Sequence, residues 1–253
     1  MNTSAKNCPV VEMKNIVKRF GTITALKNVD FKIDQAQVMA LVGDNGAGKS
    51  TLIKILTGIY PPNSGEIYFE GKLVQINSPR EARDLGIETC YQDLALVNLM
   101  SISRNFFLGR ELVHQFGPIN WLKIGEMSAL TRSALADVGI QIHSPNDRVG
   151  SLSGGERQSI AIGRAVHFGA KLLILDEPTS ALSVAETRKV LKYIENAKVR
   201  GLPVIFITHN VHHVYLMADA YTIIRHGEKV GTYCRGELSE NDIADLITGQ
   251  REK

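Results

Sequence analysis

At 253 residues the chain has room for one large or two small domains, and a globule of that size buries about 70–75% of its unfolded surface, so a full core is available. A net charge of +3, from 29 basic against 26 acidic residues with no block of like charge, is too weak to argue for nucleic acid. Three scattered cysteines (Cys8, Cys90, Cys234) point to neither a disulfide framework nor a zinc site; residues 1–7 carry no signal-peptide core and no stretch nears the ~20 apolar residues of a membrane span, so the expected place is the cytoplasm.

Residues 10–33 read as short strands around a turn, with Ile16 and Val17 before it and Leu26, Val29, Phe31 and Ile33 after it. Phe20 sits at the turn. It is either core filler or a flat platform for a base, and the residues alone leave both open. Next, Val38-Met39-Ala40-Leu41-Val42 is a short apolar run ending in Gly43, as a strand in a helix-covered parallel sheet would be. The following stretch, Gly43-Asp44-Asn45-Gly46-Ala47-Gly48-Lys49-Ser50-Thr51, fits the phosphate-cradle pattern G-x-x-x-x-G-K-[ST]. Its glycines permit a backbone whose N–H groups face one concavity. Leu52, Ile53, Ile55 and Leu56 then make a helical stripe that Gly58 ends, so a helix amino terminus points at the phosphates. Lys49 reaches the β- and γ-phosphates, and the Ser50 hydroxyl suits a hard Mg²⁺ ion.

After a Pro61-Pro62-Asn63-Ser64-Gly65 loop, Ile67-Tyr68-Phe69-Glu70 alternates before Gly71, which predicts a hairpin. From about Gln92 to Phe168 helical signals take over: Met127, Leu130, Ala134, Leu135 and Val138 recur at helical spacing, with Gly139 as the stop. Strand signals return in Leu172-Leu173-Ile174-Leu175 and Val204-Ile205-Phe206-Ile207, separated by a helix carrying Val190, Leu191 and Ile194. A strand over residues 221–224, a turn at His226-Gly227-Glu228 and a short helix near residues 243–247 follow. The fold class is α/β with a helical insertion, and there is no internal repeat.

Asp176 and Glu177 emerge at the carboxyl end of an apolar strand, where open α/β sheets hold their ligands. Adjacent carboxylates in a strand point to different sides, which lets Asp176 serve the Mg²⁺ shell while Glu177 faces an attacking water. Ser153-Gly154-Gly155-Glu156 is a capping box at the head of a helix. Its glycine pair serves helix stability poorly but lets an anion approach bare N–H groups at a positive helix end. His209, His212 and His213 invite a metal reading, since positions 209 and 213 share a helical face, but no third ligand of suitable type is near in sequence.

In order, the cradle, Gln92 at the edge of a helical insertion, Leu152-Ser153-Gly154-Gly155-Glu156-Arg157-Gln158, Leu175-Asp176-Glu177-Pro178-Thr179 and Thr208-His209 resemble the ATP-binding-cassette (ABC) ATPases over about residues 10–235. The resemblance implies a P-loop, RecA-like core with an antiparallel β subdomain (residues 1–91 and 168–253) and a helical subdomain (92–167) bearing the signature motif. It implies that Phe20 stacks on adenine and that Gly43, Asp44, Asn45, Gly46, Ala47, Gly48, Lys49, Ser50 and Thr51 bind the triphosphate of ATP. It further implies that Ser50, Gln92 and Asp176 organise Mg²⁺, that Glu177 polarises water and that His209 contacts the γ-phosphate, and that Ser153, Gly154, Gly155, Glu156 and Gln158 touch the γ-phosphate bound by the partner in a head-to-tail homodimer. Two positions depart from the family's common pattern: Glu156, where Gln is more usual, and Ser183, where Asp is. Narrower phrases, including Ser78-Pro79-Arg80-Glu81-Ala82-Arg83 and Asn105-Phe106-Phe107-Leu108-Gly109-Arg110-Glu111, look like single-cassette fructose- or ribose-type sugar importers. Such a subunit would sit on the inner face of the membrane through an integral-membrane permease, served indirectly by a secreted or periplasmic sugar-binding protein. The rivals are a soluble cassette ATPase acting on nucleic acid or ribosomes, and a cassette serving another solute.

Overall fold

In a computed structural model the described residues are 8–117, 119–180 and 182–250. The amino-terminal stretch read above for a signal peptide lies outside them. In chain order the elements are β1 (Val11–Phe20), β2 (Ile23–Ile33), β3 (Val38–Val42), α1 (Lys49–Leu56), β4 (Ser64–Phe69), β5 (Lys72–Val74), α2 (Pro79–Leu85) and β6 (Ile87–Cys90). Then come α3 (Ile102–Phe106), β7 (Val113–Phe116), β8 (Ile119–Leu122), α4 (Ile124–Asp137) and α5 (Gly154–His167). The chain continues through β9 (Leu172–Asp176), α6 (Val184–Val199), β10 (Val204–Ile207), α7 (Val211–Met217), β11 (Ala220–Arg225), β12 (Glu228–Cys234) and α8 (Glu240–Thr248). No helix among the described residues is long and apolar enough to cross a membrane.

The chain forms two compact units. The first comprises the described residues of Met1–Thr89, Ala170–Pro178 and Lys198–Lys253. It holds a six-stranded sheet in the order β12-β11-β3-β10-β9-β6 and a four-stranded sheet in the order β2-β1-β4-β5. The first sheet is parallel through β11, β3, β10 and β9. Every residue of β3 and β10 is buried, which is why these strands read as unbroken apolar runs rather than alternating ones. The second sheet is antiparallel, and β1 and β2 are long bulged strands rather than the short ones expected. Its turns, and the His226-Gly227 turn (φ 51° and 77°), fall where the glycines put them.

The second unit comprises Cys90–Gly169 and Thr179–Ala197. Residues 179–197, assigned to the core from sequence, cluster here because Tyr193 packs into this unit's apolar cluster and Asn196 Nδ2 donates to Val138 O at 3.3 Å. The insertion is not purely helical: β7 and β8 make a hairpin with Trp121 66% exposed, and the sequence reading missed its alternation. In α4, Met127, Ala134 and Leu135 are buried as expected, but Leu130 is exposed. Asn105 is wholly buried; its Oδ1 accepts from Val97 N–H at 2.7 Å and its Nδ2 reaches the carbonyls of Val97, Met100 and Ser101. It pins the segment that follows Gln92.

Candidate functional site

Parallel register brings the chemistry together. Ile207 of β10 pairs with Leu41 of β3 on one side and Asp176 of β9 on the other. Val42, Glu177 and Thr208 are therefore level where the strands end, and Gly43 follows at the same carboxyl edge of the sheet.

The cradle has the expected backbone. Gly43, Gly46 and Gly48 have φ of 154°, 78° and 110°, and a Cβ on Gly43 would lie 2.1 Å from Ile224 O. Asp44, Asn45 and Gly46 are exposed, while Ala47 is buried and Thr51 is half-buried. Gly48 offers no side chain to cap α1, and no acidic residue occupies its first turn, whereas α2, α3, α5, α7 and α8 each have a Ser or Asn cap. The positive end of α1 is thus left for an external anion. Lys49 is 7% exposed and donates from Nζ to Gly43 O (2.7 Å) and Asp44 O (3.0 Å). Burial lowers the Lys49 pKa, and the charges of Glu177, Asp44 and Asp176 oppose that shift. The ammonium stands over the loop, within a field of carboxylates.

Asp176 ends β9. Burial first, and the charge of Glu177 second, raise its pKa, while Lys49 and Lys54 act the other way. Ser50, the exposed second residue of α1, adds a hydroxyl. Among the described residues no group of three or more His, Cys, Asp or Glu side chains gathers to hold a metal by protein ligands alone. One hydroxyl and one carboxylate, all oxygen, fit an ion that completes its shell with water and substrate phosphates. Gln92 lies in the second unit, exposed, just beyond β6.

Glu177 does not continue the strand, as the alternating-carboxylate expectation required. Its φ is +50°, a left-handed conformation rare for a side chain of this size. Its N–H still donates to Ile207 O at 2.9 Å, but the side chain turns towards the end of β10. There Oε1 accepts from His209 N–H (3.0 Å) and lies 2.9 Å from His209 Nδ1, while Thr208 Oγ1 donates to Oε2 at 3.4 Å. The Glu177 side chain is 15% exposed and that of His209 63%, so the imidazole's other edge is open to solvent. Burial lowers the His213 pKa, with His212 adding to the effect and Glu177 opposing it.

Phe20, 42% exposed, is not core filler. Its ring meets Tyr60 edge-on at 5.2 Å, and the Lys18 ammonium lies 5.2 Å from its centroid. Tyr60 was not singled out from sequence; its place after the cradle helix carries no local signal.

The signature segment heads α5. Ser153 Oγ accepts from Glu156 N–H (3.3 Å) and Glu156 Oε2 accepts from Ser153 N–H (2.8 Å), the reciprocal capping box. Ser153, Gly154 and Glu156 are exposed, but Gly155 is buried, and Gln158 lies inside the unit at 5% exposure rather than at the surface. Gly155 N–H donates to Glu186 Oε1 at 3.2 Å, a partner the sequence reading did not foresee.

A family model described as "ABC transporter" matches residues 26–180. The fructose import ATP-binding protein of Rhizobium meliloti is 42% identical, covering 96% of this chain and 95% of that protein. The xylose/arabinose import ATP-binding protein of Sulfolobus acidocaldarius is 43% identical over 94% of each chain. A ribose import ATP-binding protein of Caldanaerobacter subterraneus is 39% identical over 97% of this chain, which spans 49% of that longer protein. Among solved structures, a nucleotide-free ATP-binding cassette from an ABC transporter superposes with a TM-score of 0.84 at 25% identity, covering 97% of this chain and 100% of the other. The dimeric post-hydrolysis state of a cassette bound to ADP and phosphate shares the fold at a TM-score of 0.73 and 23% identity, covering 90% of this chain and 100% of the other. Agreement of this breadth, on a chain whose cradle and strand-end carboxylates were already in register, means that the protein belongs to the ABC transporter family.

Proposed function

We propose that this chain is the ATP-hydrolysing subunit of an importer of a simple sugar of the fructose, pentose or ribose kind, driving a separate membrane permease. The observation that carries the ATPase reading is the convergence of Lys49, Asp176, Glu177 and His209 at the carboxyl ends of β3, β9 and β10. The sugar reading rests on the three import proteins, which cover nearly the whole chain.

On this reading the adenine stacks on Phe20, and the N–H groups of residues 43–51 and the Lys49 ammonium bind the β- and γ-phosphates. Water attacks the γ-phosphorus, the bond to the β–γ bridging oxygen breaks, ADP leaves, and Glu177 takes the water's proton. Ser50, Gln92 and Asp176 would hold Mg²⁺, which when bound supplies charge to offset that of the phosphate oxygens. His209 contacts the γ-phosphate through the imidazole edge turned from Glu177. The first unit (Met1–Thr89, Ala170–Pro178 and Lys198–Lys253) carries this half-site apart from Gln92, and the second (Cys90–Gly169 and Thr179–Ala197) carries Gln92 and the signature segment. Two copies close head to tail, so that Ser153, Gly154, Gly155 and Glu156 reach the γ-phosphate held by the partner; Gln158 lies behind them on the buried face of α5. The complex sits on the cytoplasmic face of the membrane through its permease.

Reconstitution tests this. The chain assembled with its permease should show ATPase activity that rises when sugar-loaded binding protein is added. Stimulation by DNA, RNA or ribosomes, with no permease co-purifying, would replace this reading with a soluble cassette ATPase.

A further inference from the structure

The amino terminus of α5 already holds an anion belonging to the same chain. Glu186 is the third residue of α6, and its Oε2 accepts from Ser183 N–H (3.0 Å) and from the Ser183 hydroxyl (2.8 Å). Its own N–H reaches Ser183 Oγ at 3.4 Å. These bonds form a second capping box, and they need nothing from α5. Yet the remaining oxygen, Oε1, takes the Gly155 N–H at 3.2 Å.

The packing around that bond is tight. A Cβ on Gly155 would lie 2.8 Å from Glu186 Cβ and 3.0 Å from its Cγ, and one on Gly154 would lie 2.9 Å from Leu182 Cδ2. Of the two glycines that would leave N–H groups bare for a phosphate, Gly155 is therefore covered by the start of α6, while Gly154 stays exposed. Bonds from the Ser183 side chain and N–H, then from Gly155 N–H and the Ser153 hydroxyl, hold the Glu186 carboxyl at a pKa of about 2. It is ionised at any physiological pH. One N–H at one helix end cannot serve two anions, and two like charges a few ångströms apart repel.

We propose that Glu186 is a positioning residue for the composite site: its carboxylate occupies the signature N–H in the isolated chain, and the partner's γ-phosphate takes its place when two copies close. Glu186 thereby sets the ATP concentration at which closure occurs. This rests on the signature reading given above. On displacement Glu186 keeps Ser183, so α6 stays capped while α5 is released.

The test uses the full chain carrying Glu177→Gln to block turnover, with ATP-driven dimerisation followed by sedimentation. Adding Glu186→Gln should lower the midpoint ATP concentration roughly tenfold, since a charge-assisted bond no longer competes. Glu186→Asp should lower it as well: the shorter side chain still completes a capping box, as Asp242 does with Ser239 in α8, but withdraws from Gly155. A cap-only role predicts the parent midpoint for Glu186→Asp, and that result, or an unchanged or raised midpoint in both variants, overturns the proposal. Ser153→Arg in the same background separates the two levels. If it blocks dimerisation while the Glu186 variants behave as the parent, only this inference fails; if it dimerises normally, the signature is not the phosphate seat and both readings fall.

Discussion

Replacing Phe20 by alanine separates recognition of the base from recognition of the phosphates. Stacking of a base on an aromatic ring is worth roughly 1–3 kcal/mol, so ATP should bind about 5- to 150-fold more weakly. The ring also contributes to the fold. Its edge contact with Tyr60 at 5.2 Å and the Lys18 ammonium at 5.2 Å are both lost. An aromatic pair of about 0.5–1.5 kcal/mol and an exposed cation–π contact of about 0.5–1 kcal/mol set a total of roughly 1–2.5 kcal/mol. At about 2–4 °C per kcal/mol for a chain of this size, the melting temperature without nucleotide should fall by less than about 10 °C. Calorimetric titration with a non-hydrolysed ATP analogue measures the first effect and scanning calorimetry the second. Tripolyphosphate supplies the control, because it lacks the base and should bind Phe20→Ala as it binds the parent. Tyr60→Leu removes the edge contact but leaves the platform, and should cost less affinity than Phe20→Ala. An equal loss for ATP and tripolyphosphate, or unchanged ATP affinity with a larger melting loss, would refute the platform.

Glu177→Gln should retain ATP binding while phosphate release falls by about 10²–10⁴, as loss of a general base does; parallel loss of affinity and turnover would make this carboxylate structural. Lys49→Ala and Ser153→Arg should each be nearly inactive, yet phosphate release should partly return when the two purified mutants exchange subunits, because one of the two sites then pairs an intact cradle with an intact signature. Asn105→Leu leaves Val97 N–H and several carbonyls without their buried partner and should cost about 2–4 kcal/mol in chemical denaturation. For Glu186 the folded pKa, about 2, lies below its ordinary 4.5, so the stability it adds is present above pH 4.5 and is lost as pH falls towards 2. The melting difference between the parent and Glu186→Gln should therefore shrink across that window; a difference constant from pH 6 to pH 2 would contradict the hydrogen bonding described.

Most of the first half-site was legible because its signals are local. An apolar run ending in Gly43, another ending in Asp176 and a third ending in Thr208-His209 announce three buried strands with chemistry at one end. Which strand neighbours which is a matter of long-range pairing, and nothing in a period-2 or apolar pattern encodes the order β3-β10-β9. The β7–β8 hairpin was hidden for another reason: it is four residues a side, with Trp121 outward, and too short for alternation to stand out against helical neighbours. Ser183-x-x-Glu186 is a capping-box phrase like Ser153-x-x-Glu156, so its helix start was readable. Its bond to Gly155 spans 31 positions and was not. Tyr60 and Asn105 were missed on the same account, since their worth lies in what the fold sets beside them.

The left-handed turn at Glu177 ties strain to proton placement. A non-glycine residue at φ +50° costs about 1–3 kcal/mol, and it persists here because the peptide bonds to Ile207 while the carboxylate collects Thr208 and both His209 groups. A neutral imidazole has one N–H. If Nδ1 donates it to Glu177 Oε1, then Nε2 is an acceptor and repels a phosphate oxygen; if Nε2 carries it, Nδ1 faces the carboxylate lone pair to lone pair. Both contacts at once require an imidazolium, or else His209 Nδ1 must leave Glu177 as the γ-phosphate arrives, with the His209 main-chain N–H still holding Oε1. On the proposed reading, the second course withdraws Nδ1 from Oε1 once a γ-phosphate engages the imidazole's open edge, and so opens that oxygen to a proton from water, whereas in the first course Nδ1–H keeps its bond to Glu177. Along that second course, the conformation that brings strand end and histidine together would make the proposed base conditional on the substrate.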